Sequence, residues 1–530
     1  MLADFPVDLP WPHWRMVKWY HKGLWSLYSR FESWSASRFA GDAPRCIAIM
    51  EAMTPTVRDQ PGSRRDTLRV AVAVLAAGHG TRMKSRSPKH VHPVGGVPLV
   101  ERIIRAGLAV NPQWMLAVVS PGMVEMPAIL GMEGLFETVV QDPPRGTADA
   151  VRTALDAAPD ADYLVSLLGD NPLLTGEMVE HLLDHAIATG SRITILTCQL
   201  DDAQSYGRID RNAIGQVRSI VEAKNDAPAD RSGRIEINSG IMVLDAAWAR
   251  EALGRLPVDA VTQEYLLTDL VPMAAAEHRP GESWPIATVE APPEVSIGVN
   301  NRIQQAEADA IVRDHVRRRH MLAGVSMVGP ETIFIDEQVE IGADTVLLPG
   351  TIILGRTTIG TGCRIGPNTV LDHAEIGDNV TIRSSTIEHS RMEDGSDAGP
   401  YAHVRGGSVV GEGVHIGNYA ELKNTVMARG AKSGHFSYLG DATIGENVNI
   451  GAGSITANYD GIRKNPTVIE DGAFIGSDTI LVAPVTVGEA ARTGAGSVVT
   501  KDVAAGSTVV GIPARPIASR KRSAAEPDSR

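Results

Sequence analysis

The alternation of apolar and polar residues predicts an α/β domain in the first half of the chain. Residues 68–78, LRVAVAVLAAG, have the pattern of a buried strand that runs into a glycine turn. Further apolar runs of strand length are separated by amphipathic helical patterns and occupy residues 114–119, 163–168, 193–198 and 237–244. This alternation indicates a Rossmann-like, largely parallel sheet that binds its ligands beyond the carboxyl ends of the strands. We expect this domain over residues 68–300.

A different pattern follows a charged helix predicted over residues 301–322, which we interpret as a linker. Apolar residues then recur every six positions, typically followed by glycine, at Ile341, Leu347, Ile353, Ile359, Ile365 and Leu371. A hexapeptide period predicts a parallel β-helix, here expected to be left-handed, with one hexapeptide on each flat face of a coil. We expect it over residues 323–516. The register fails at about residues 388–403, 425–443 and 456–470, where we expect loops.

Composition sets the two ends of the chain apart from these domains. Of the 24 aromatic residues, ten lie in the first 39 positions, whereas 30 of the 52 glycines lie between Gly324 and Gly511. Residues 1–67 therefore form an extension: a basic amphipathic surface helix, a flexible segment, or the product of a start codon placed upstream of Met53. We expect residues 517–530 to be a disordered tail.

The apolar runs, the cysteine positions and the net charge of the chain exclude several classes of protein. No window reaches the ~20 apolar residues of a membrane span, and the first residues lack a secretory signal pattern, so we expect a soluble, cytoplasmic protein. Cys46, Cys198 and Cys363 are too far apart in sequence to suggest a disulfide framework or a CxxC metal half-site. The net charge of −13 argues against a nucleic-acid partner.

The most specific motif is LAAGHGTRMKSRSPK, at residues 75–89. Gly78 and Gly80 permit close approach of the backbone to a phosphate, and Arg82 and Lys89 supply two cations for a triphosphate. The motif is neither GxxxxGK[ST] nor GxGxxG, because Met83 stands where the latter requires glycine.

This motif resembles the signature of the sugar-1-phosphate nucleotidylyltransferases. From about residue 69 to about 516 the chain resembles, in a single order of motifs, the bacterial bifunctional N-acetylglucosamine-1-phosphate uridylyltransferase/glucosamine-1-phosphate N-acetyltransferase family. The resemblance implies synthesis of UDP-N-acetylglucosamine, a precursor of peptidoglycan and lipopolysaccharide. It also implies UTP and acetyl-CoA as co-substrates, Mg²⁺ as cofactor, and a homotrimer whose acetyl sites are completed by neighbouring subunits.

For the uridylyl transfer, the resemblance implies that Arg82 and Lys89 are catalytic and that Asp170, in LLGDNPLL, and Asn300, in GVNNR, hold Mg²⁺. The residues implied to bind UTP and the sugar nucleotide are Leu75, Gly78, Gly80, Lys89, Gln141, Gly146, Thr147, Gly207, Glu222, Asn238 and Asn300. The sugar phosphate is already ionised, so the reaction needs no protein general base. The chain departs from the family at Leu168, where Tyr is frequent, and in its Pro143, Pro144, Arg145 run.

For the acetyl transfer, the resemblance implies that His435, in GHFSYLGD, is the general base, with Glu421 as a candidate to orient it. The sugar phosphate would contact Arg405, Lys423, Tyr438, Asn449 and Lys464. Acetyl-CoA would lie along the outside of the coils, against Ala452, Asn458, Tyr459, Ser477, Ala495 and Lys501. Ile512 is a departure, because some members carry Arg there.

Two other functions compete with this interpretation. The chain could be a nucleotidylyltransferase for another sugar, with a β-helix that only oligomerises or regulates. It could also be a scaffold subunit with decayed sites. His435 and Tyr438 argue against the first alternative, and Arg82, Lys89 and Asp170 argue against the second.

Overall fold

The computed structural model describes residues 64–78, 80–203, 205–223, 232–259 and 263–517. The expectations for the aromatic-rich extension therefore fall almost wholly outside the described residues, apart from a short 3-10 helix at Arg64–Thr67. The expected tail also lies outside them, except for Ile517. That residue belongs to the strand Arg515–Ile517, so the ordered fold extends one residue beyond the predicted boundary.

A nine-stranded sheet forms the centre of the first domain. Its strands are β1 (Val70–Leu75), β4 (Trp114–Val119), β5 (Glu137–Val140), β6 (Tyr163–Leu168), β7 (Ile193–Asp202), β8 (Arg208–Arg211), β9 (Val217–Val221), β10 (Ser232–Asp245) and β11 (Ile286–Ala291); β2 (Pro93–Val94) and β3 (Val97–Pro98) form a separate antiparallel pair. The main order is β11-β7-β10-β6-β1-β4-β5; β8 pairs with β10, and β9 pairs with β8. Strands β1, β4, β5 and β6 are parallel neighbours, whereas β10 runs antiparallel to β6 and β7.

Helices cover both faces of this sheet. They are α1 (Leu99–Leu108), α2 (Met126–Leu130), α3 (Thr147–Ala157), α4 (Gly176–Thr189), α5 (Ala246–Gly254) and α6 (Leu270–Ala276). In β1, Val72 and Val74 pack into a core with α1 and α4, whereas Ala71 and Ala73 pack into the core on the other face with α3 and α5. Because successive side chains of a strand point to opposite faces, a strand buried on both sides is apolar throughout. This confirms the expected α/β domain.

The helix α7 (Arg302–Leu322) joins this domain to the second. Asn301 caps it by accepting hydrogen bonds from the backbone N–H groups of Ile303 and Gln304, at 2.9 and 3.0 Å. Ala308, Val312 and Val316 on this helix are buried in one continuous core with residues of both domains. The helix is therefore a packed element between the domains as well as the linker that the sequence predicts.

The second domain is a parallel β-helix with three flat faces, consistent with the left-handed form predicted from its hexapeptide repeat. Face 1 contains Ser326–Met327, Val346–Leu347, Arg364–Ile365, Thr381–Ile382, Asp397–Ala398, His415–Ile416, Lys432–Ser433, Asn449–Ile450, Phe474–Ile475, Arg492–Thr493, Thr508–Val510 and Arg515–Ile517. Face 2 contains Phe334–Ile335, Ile352–Leu354, Val370–Asp372, Thr386–Glu388, His403–Arg405, Ala420–Lys423, Ser437–Gly440, Ile455–Ala457, Ile480–Val482 and Val498–Val499. Face 3 contains Glu340–Ile341, Thr358–Ile359, Glu375–Ile376, Arg391–Met392, Val409–Val410, Val426–Met427, Ala442–Ile444, Thr467–Ile469 and Val485–Val487.

The prediction of a loop is wrong at two of the three expected positions. Regular coils continue through residues 388–403 and 425–443. The pattern is hidden there because the inward positions hold Ala398 and Ser433, both buried. In addition, hydrogen-bonded partners in successive coils are 18 residues apart in some coils but 17 or 16 in others, which breaks a strict six-residue register.

The third expected loop is present, although it is shorter than predicted. The chain leaves the prism between the strands Ile455–Ala457 and Thr467–Ile469. Across this insertion, hydrogen-bonded partners in adjacent coils are 25 residues apart. This loop lies beside the predicted acetyl-transfer residues.

Candidate active sites

The first candidate site lies at the carboxyl ends of β1 and β6, where Leu75 and Leu168 are register partners. The chain leaves β1 at Leu75 and turns at Gly78 and Gly80. Gly80 has a φ of 57°, and a Cβ there would lie 2.6 Å from the Cβ of Lys89. Only glycine fits this position without displacing Lys89. No atom lies within 4 Å of a Cβ placed on Gly78, so space is open beside the turn.

Two cationic side chains, Arg82 and Lys89, converge there with the side-chain oxygens of Asp170 and Asn300. Lys89 Nζ donates to Asp170 Oδ2 at 2.5 Å and to Asn300 Oδ1 at 3.2 Å. Arg82 Nη2 donates to the same Asn300 oxygen at 2.8 Å. The structure therefore brings together four residues that the sequence singled out. Lys89 and Asp170 are largely buried, with side chains 10% and 19% exposed, so their charges are poorly screened by water.

The donor set at this point suits a hard cation. Asp170 Oδ2 and Asn300 Oδ1 already share one positive charge, the Lys89 ammonium group. Carboxylate and amide oxygens are the ligands that Mg²⁺ and similar ions prefer.

A buried histidine beside this cluster adds no charge to it. Burial, followed by the charge of Lys89, lowers the pKa of His90 to about 4. The imidazole is therefore neutral at physiological pH. A Cβ on Gly169 would lie 3.2 Å from the ring, so the close packing there depends on glycine.

The residues expected to recognise the base lie at the start of α3. The buried Gln141 donates from Nε2 to the Gly146 carbonyl at 3.1 Å and to Asp149 Oδ2 at 3.0 Å. Gly146 has a φ of 104°, and a Cβ there would lie 2.5 Å from the Tyr265 carbonyl oxygen. Thr147 Oγ1 accepts from the Leu267 N–H at 3.1 Å. Sequence reasoning missed Asp149, whose only signal is its place in the first turn of the helix.

The residues expected to contact the sugar form a second wall, on β10 and the loops around it. The Asn238 N–H donates to the Gly207 carbonyl at 2.9 Å, and Asn238 Oδ1 accepts from the Gly240 N–H at 2.9 Å. Glu222 Oε1 accepts from Thr268 Oγ1 at 2.9 Å. Leu168 packs against Gly240, where a Cβ would lie 2.5 Å from Leu168 Cδ1. The departure at residue 168 is thus accommodated by glycine opposite it.

The second candidate site lies on the outer side of face 2. Arg405 and Lys423 are register partners in adjacent strands, as are Glu421 and Tyr438. Arg405 Nη1 donates to Glu421 Oε1 at 2.8 Å. Glu421 therefore pairs with Arg405, and among the described residues no hydrogen bond joins it to His435, which it was expected to orient. The predicted cations Arg405 and Lys423 are brought together, as a phosphate monoester requires.

Asp441 connects the residues of this site and was not singled out from the sequence. Lys423 Nζ lies 3.3 Å from both of its carboxylate oxygens, Asn424 donates to Oδ1 at 2.8 Å, and Asn458 donates to Oδ2 at 2.6 Å. Burial alone would raise the pKa of Asp441, but the hydrogen bonds from Asn424 and Lys423 outweigh it, and the pKa is lowered. The signal in the sequence was its place at the end of GHFSYLGD.

Lys464 completes this group of charges from the inserted loop. A hydrogen bond with Lys423, together with the Lys423 charge, lowers the pKa of Lys464. Asp460 holds the loop, because its Oδ1 accepts from the N–H groups of Ile462 and Arg463, each at 2.8 Å. Its other oxygen accepts from Asn465 Nδ2 at 2.9 Å, and these hydrogen bonds lower the pKa of Asp460 to about 2.

His435 lies in a row of residues stacked from coil to coil, together with three of the residues expected to contact acetyl-CoA. His435, Ala452, Ser477 and Ala495 occupy the same turn, after face 1, in successive coils. Backbone hydrogen bonds join the row: Gly453 N to Phe436 O at 2.8 Å, Asp478 N to Ala452 O at 2.7 Å, and Gly496 N to Ser477 O at 2.8 Å. His435 is exposed and has no hydrogen-bonded partner among the described residues.

The remaining predicted residues lie elsewhere on the prism. Asn458 and Lys501 occupy the next turn, after face 2, and Tyr459 lies in the inserted loop with its side chain exposed. Asn449 lies on face 1, as the register partner of Lys432. Within one chain the structure therefore does not bring Asn449 onto the face that carries Arg405 and Lys423. Ile512 is exposed in the last turn before the strand Arg515–Ile517.

Comparison with known proteins identifies both domains. Residues 72–231 match the family described as the MobA-like NTP transferase domain. Residues 442–463 and 466–501 match the hexapeptide repeat of succinyl-transferase, and residues 330–427 match the GMPPB C-terminal domain. The fold and its two sites thus define a nucleotidyltransferase joined to a hexapeptide-repeat acyltransferase.

Relatives along most of the chain share this combination. The chain is 42% identical over 432 residues to the bifunctional protein GlmU of Geobacillus sp. (strain WCH70), covering 81% of this chain and 92% of that protein. It is 43% identical over 438 residues to the bifunctional protein GlmU of Heliobacterium modesticaldum, covering 82% and 94%. It is 40% identical over 458 residues to that of Exiguobacterium sibiricum, covering 86% and 99%. The chain belongs to the GlmU family.

This assignment confirms the family, the fold class and the bifunctional transferase activity in UDP-N-acetylglucosamine synthesis expected from the sequence. It favours that interpretation over a single-activity enzyme or a scaffold subunit. Among the described residues, no helix is both long and apolar enough to cross a membrane.

Proposed function

We propose that the two sites act in sequence on one sugar. The β-helix transfers an acetyl group from acetyl-CoA to glucosamine 1-phosphate, and the α/β domain joins the product to UTP, releasing pyrophosphate. The observation that carries this proposal is the presence, in one chain, of two separate groups of cations, each beside the residues its reaction needs. Both co-substrates are cytoplasmic metabolites, so we propose that the enzyme acts in the cytoplasm.

In the uridylyl transfer, a phosphate oxygen of N-acetylglucosamine 1-phosphate attacks the α-phosphorus of UTP. A new O–P bond forms as the bond to the β-phosphate breaks. Arg82 and Lys89 offset the charge on the triphosphate and the departing pyrophosphate, because such transfers depend on positioning and charge neutralisation. Gln141 and Thr147 line the part of the site that takes the uracil base. Glu222 and Asn238 line the part that takes the sugar.

Asp170 and Asn300 would hold Mg²⁺ in this reaction. Their oxygens already converge on one ammonium group, which supports the fit of a hard cation at the same place. When bound, the ion would supply charge neutralisation at the phosphate oxygens.

In the acetyl transfer, the amine nitrogen of glucosamine 1-phosphate attacks the thioester carbonyl of acetyl-CoA. His435 acts as the general base and accepts the proton that the nitrogen loses. The tetrahedral intermediate then collapses and expels the coenzyme A thiolate, which takes up a proton. Arg405, Lys423 and Lys464 bind the phosphate, so that the amine is presented to the row that contains His435.

We also propose that the acetyl site is shared between copies in a homotrimer. Asn449 and the cations Arg405 and Lys423 lie on different faces of one prism. A second copy must therefore present its face 1 to this face 2 if all these residues contact one substrate. Tyr401 and Tyr419 stack at 5.3 Å and are exposed at the turn between these faces, as expected of a surface that another copy covers.

Two paired assays test the proposal. With glucosamine 1-phosphate and acetyl-CoA the protein should release coenzyme A thiol, and with UTP, Mg²⁺ and N-acetylglucosamine 1-phosphate it should release pyrophosphate. Failure of one assay would restrict the protein to the other activity, and failure of both would support the scaffold alternative.

A further inference from the structure

A group of imidazoles and carboxylates on the β-helix belongs to neither active site. Gly355, His373, His389 and Gly406 occupy the same turn, after face 2, in successive coils. Backbone hydrogen bonds join them, with His389 N donating to the Asp372 carbonyl at 2.8 Å and Gly407 N donating to the His389 carbonyl at 3.0 Å. The two histidines are therefore stacked by the repeat itself.

Their side chains converge with one carboxylate. His373 Nδ1 lies 2.7 Å from Asp372 Oδ1, and the rings of His373 and His389 stack with their centroids 5.0 Å apart. One nitrogen of each imidazole and one oxygen of Asp372 all lie within 4.8 Å of one another. Small side-chain rotations bring three such atoms to the separation found around a single metal ion.

The neighbouring coil leaves room for this arrangement. A Cβ on Gly355 would lie 2.6 Å from both nitrogens of the His373 ring, so a larger residue there would displace the imidazole. Both histidines have a positive φ, 48° at His373 and 45° at His389. Among residues other than glycine, asparagine, aspartate and histidine adopt this conformation most often, and it aims both rings out of the same corner of the prism.

Two carboxylates lie close to these histidines. Asp372 is the register partner of Glu388, so two carboxylates lie side by side. Among the described residues, no lysine or arginine lies within 4 Å of the Asp372 carboxylate, whose ion-pair partner is His373. Glu388 in turn contacts His403 Nε2 at 3.2 Å.

We propose that Asp372, His373 and His389 form a binding site for a divalent transition-metal cation of the zinc class. Two imidazoles and a carboxylate are a ligand set typical of Zn²⁺, with the fourth position left for water. Because the ligands come from two successive coils, the ion ties these coils together and stabilises the folded prism.

The test is a calorimetric titration of the full chain with ZnCl2 in excess Mg²⁺, in an Asp170→Asn background that removes the other candidate cation site. The wild-type cluster should bind one Zn²⁺ per chain, and Zn²⁺ should raise the melting temperature. His373→Asn and His389→Asn should each weaken binding at least ~10-fold and abolish the rise. Asparagine is chosen because it tolerates a positive φ.

His415→Asn is the matched control. His415 also lies 2.7 Å from a carboxylate, Asp397, and is similarly exposed, but no second imidazole in the described part of the chain contacts it. This variant should bind Zn²⁺ as the wild-type cluster does. Equal Zn²⁺ binding by the His389→Asn variant, or equal loss in His415→Asn, would overturn the proposal. Asp372→Asn is an independent test, because it should weaken Zn²⁺ binding without changing a residue that has a positive φ.

Discussion

Lys89 Nζ lies 2.5 Å from Asp170 Oδ2, although the two residues are 81 positions apart. The contact joins the turn after β1 to the carboxyl end of β6, because these two strands are parallel neighbours. The lysine also contacts Asn300, at the end of the domain. The ammonium group of Lys89 thus lies where the phosphates and a metal ion are expected to bind.

Asp170→Asn should remove uridylyl transfer while leaving acetyl transfer unchanged. The variant keeps the shape of the side chain but loses the negative charge that would hold Mg²⁺. We expect pyrophosphate release to fall by about 10²- to 10³-fold, the range for the loss of one preorganised electrostatic group. Asp160→Asn, at an exposed carboxylate, is the control and should retain both activities. Uridylyl transfer retained by Asp170→Asn would dismiss Asp170 as the metal ligand.

His435→Ala should have the opposite effect. Without the imidazole no group at this position accepts the proton from the amine, so acetyl transfer should fall by about 10²- to 10⁴-fold. Uridylyl transfer, measured on the same preparation, should stay near normal. His181→Ala, on the surface of α4, is the control. Equal loss of both activities in His435→Ala would refute independent sites.

Asp441→Asn should weaken the binding of glucosamine 1-phosphate. Asp441 is the shared counter-charge of Lys423 and Lys464, so without it the two ammonium groups repel each other and the pKa of Lys464 falls further. Hydrogen bonds to charged groups are worth about 1.5–3 kcal/mol, so we expect KM to rise roughly 10-fold or more, with a smaller change in kcat.

The pH profile separates this positioning role from a purely structural one. The rise in KM caused by Asp441→Asn should grow as pH increases, because Lys464 loses its proton earlier. Asp397→Asn, which removes the carboxylate beside His415 on face 1, is the control and should leave KM unchanged. A KM for Asp441→Asn that matches wild type at every pH would contradict the role given to Asp441.

The amides of the inserted loop should lose their protection against hydrogen exchange in acid. The pKa of Asp460 is about 2 in the folded protein, against an ordinary value of 3.8. The ionised carboxylate therefore stabilises the folded loop above about pH 3.8, and this contribution is lost as pH falls towards 2. Hydrogen exchange at the Ile462 and Arg463 amides should speed up over that interval after correction for intrinsic rates. Asp460→Asn should show fast exchange throughout, and protection that persists in this variant would contradict the assignment.

Much of the fold could be predicted from periodicity. Strands β4 and β6 have the bounds expected from their apolar runs, and the hexapeptide register identifies the β-helix. The register was lost at Ala398 and Ser433, because a small side chain inside the prism carries no apolar signal and a coil shortened by one residue shifts the pattern. Such changes are tolerated because each coil packs only on its neighbours.

The sites were harder to derive from the sequence than the fold. Asp170 and Asn300 were predicted through motifs to hold a metal ion, and in the structure both accept a hydrogen bond from Lys89. Asp441 was missed because its importance lies in contacts with Lys423 and Asn458, in the coils on either side, which no local pattern reveals. Asn449 was grouped with residues that lie on another face, since a linear motif does not say which face of the prism a residue occupies.

The most direct test of the central claim is to measure both activities on one preparation of the full chain. Thiol release from acetyl-CoA with glucosamine 1-phosphate, and pyrophosphate release from UTP and Mg²⁺ with N-acetylglucosamine 1-phosphate, should both occur. Supplied with glucosamine 1-phosphate, acetyl-CoA, UTP and Mg²⁺ together, the protein should make UDP-N-acetylglucosamine. Pyrophosphate release without any thiol release would show that the β-helix is not an acetyltransferase, and would contradict the account.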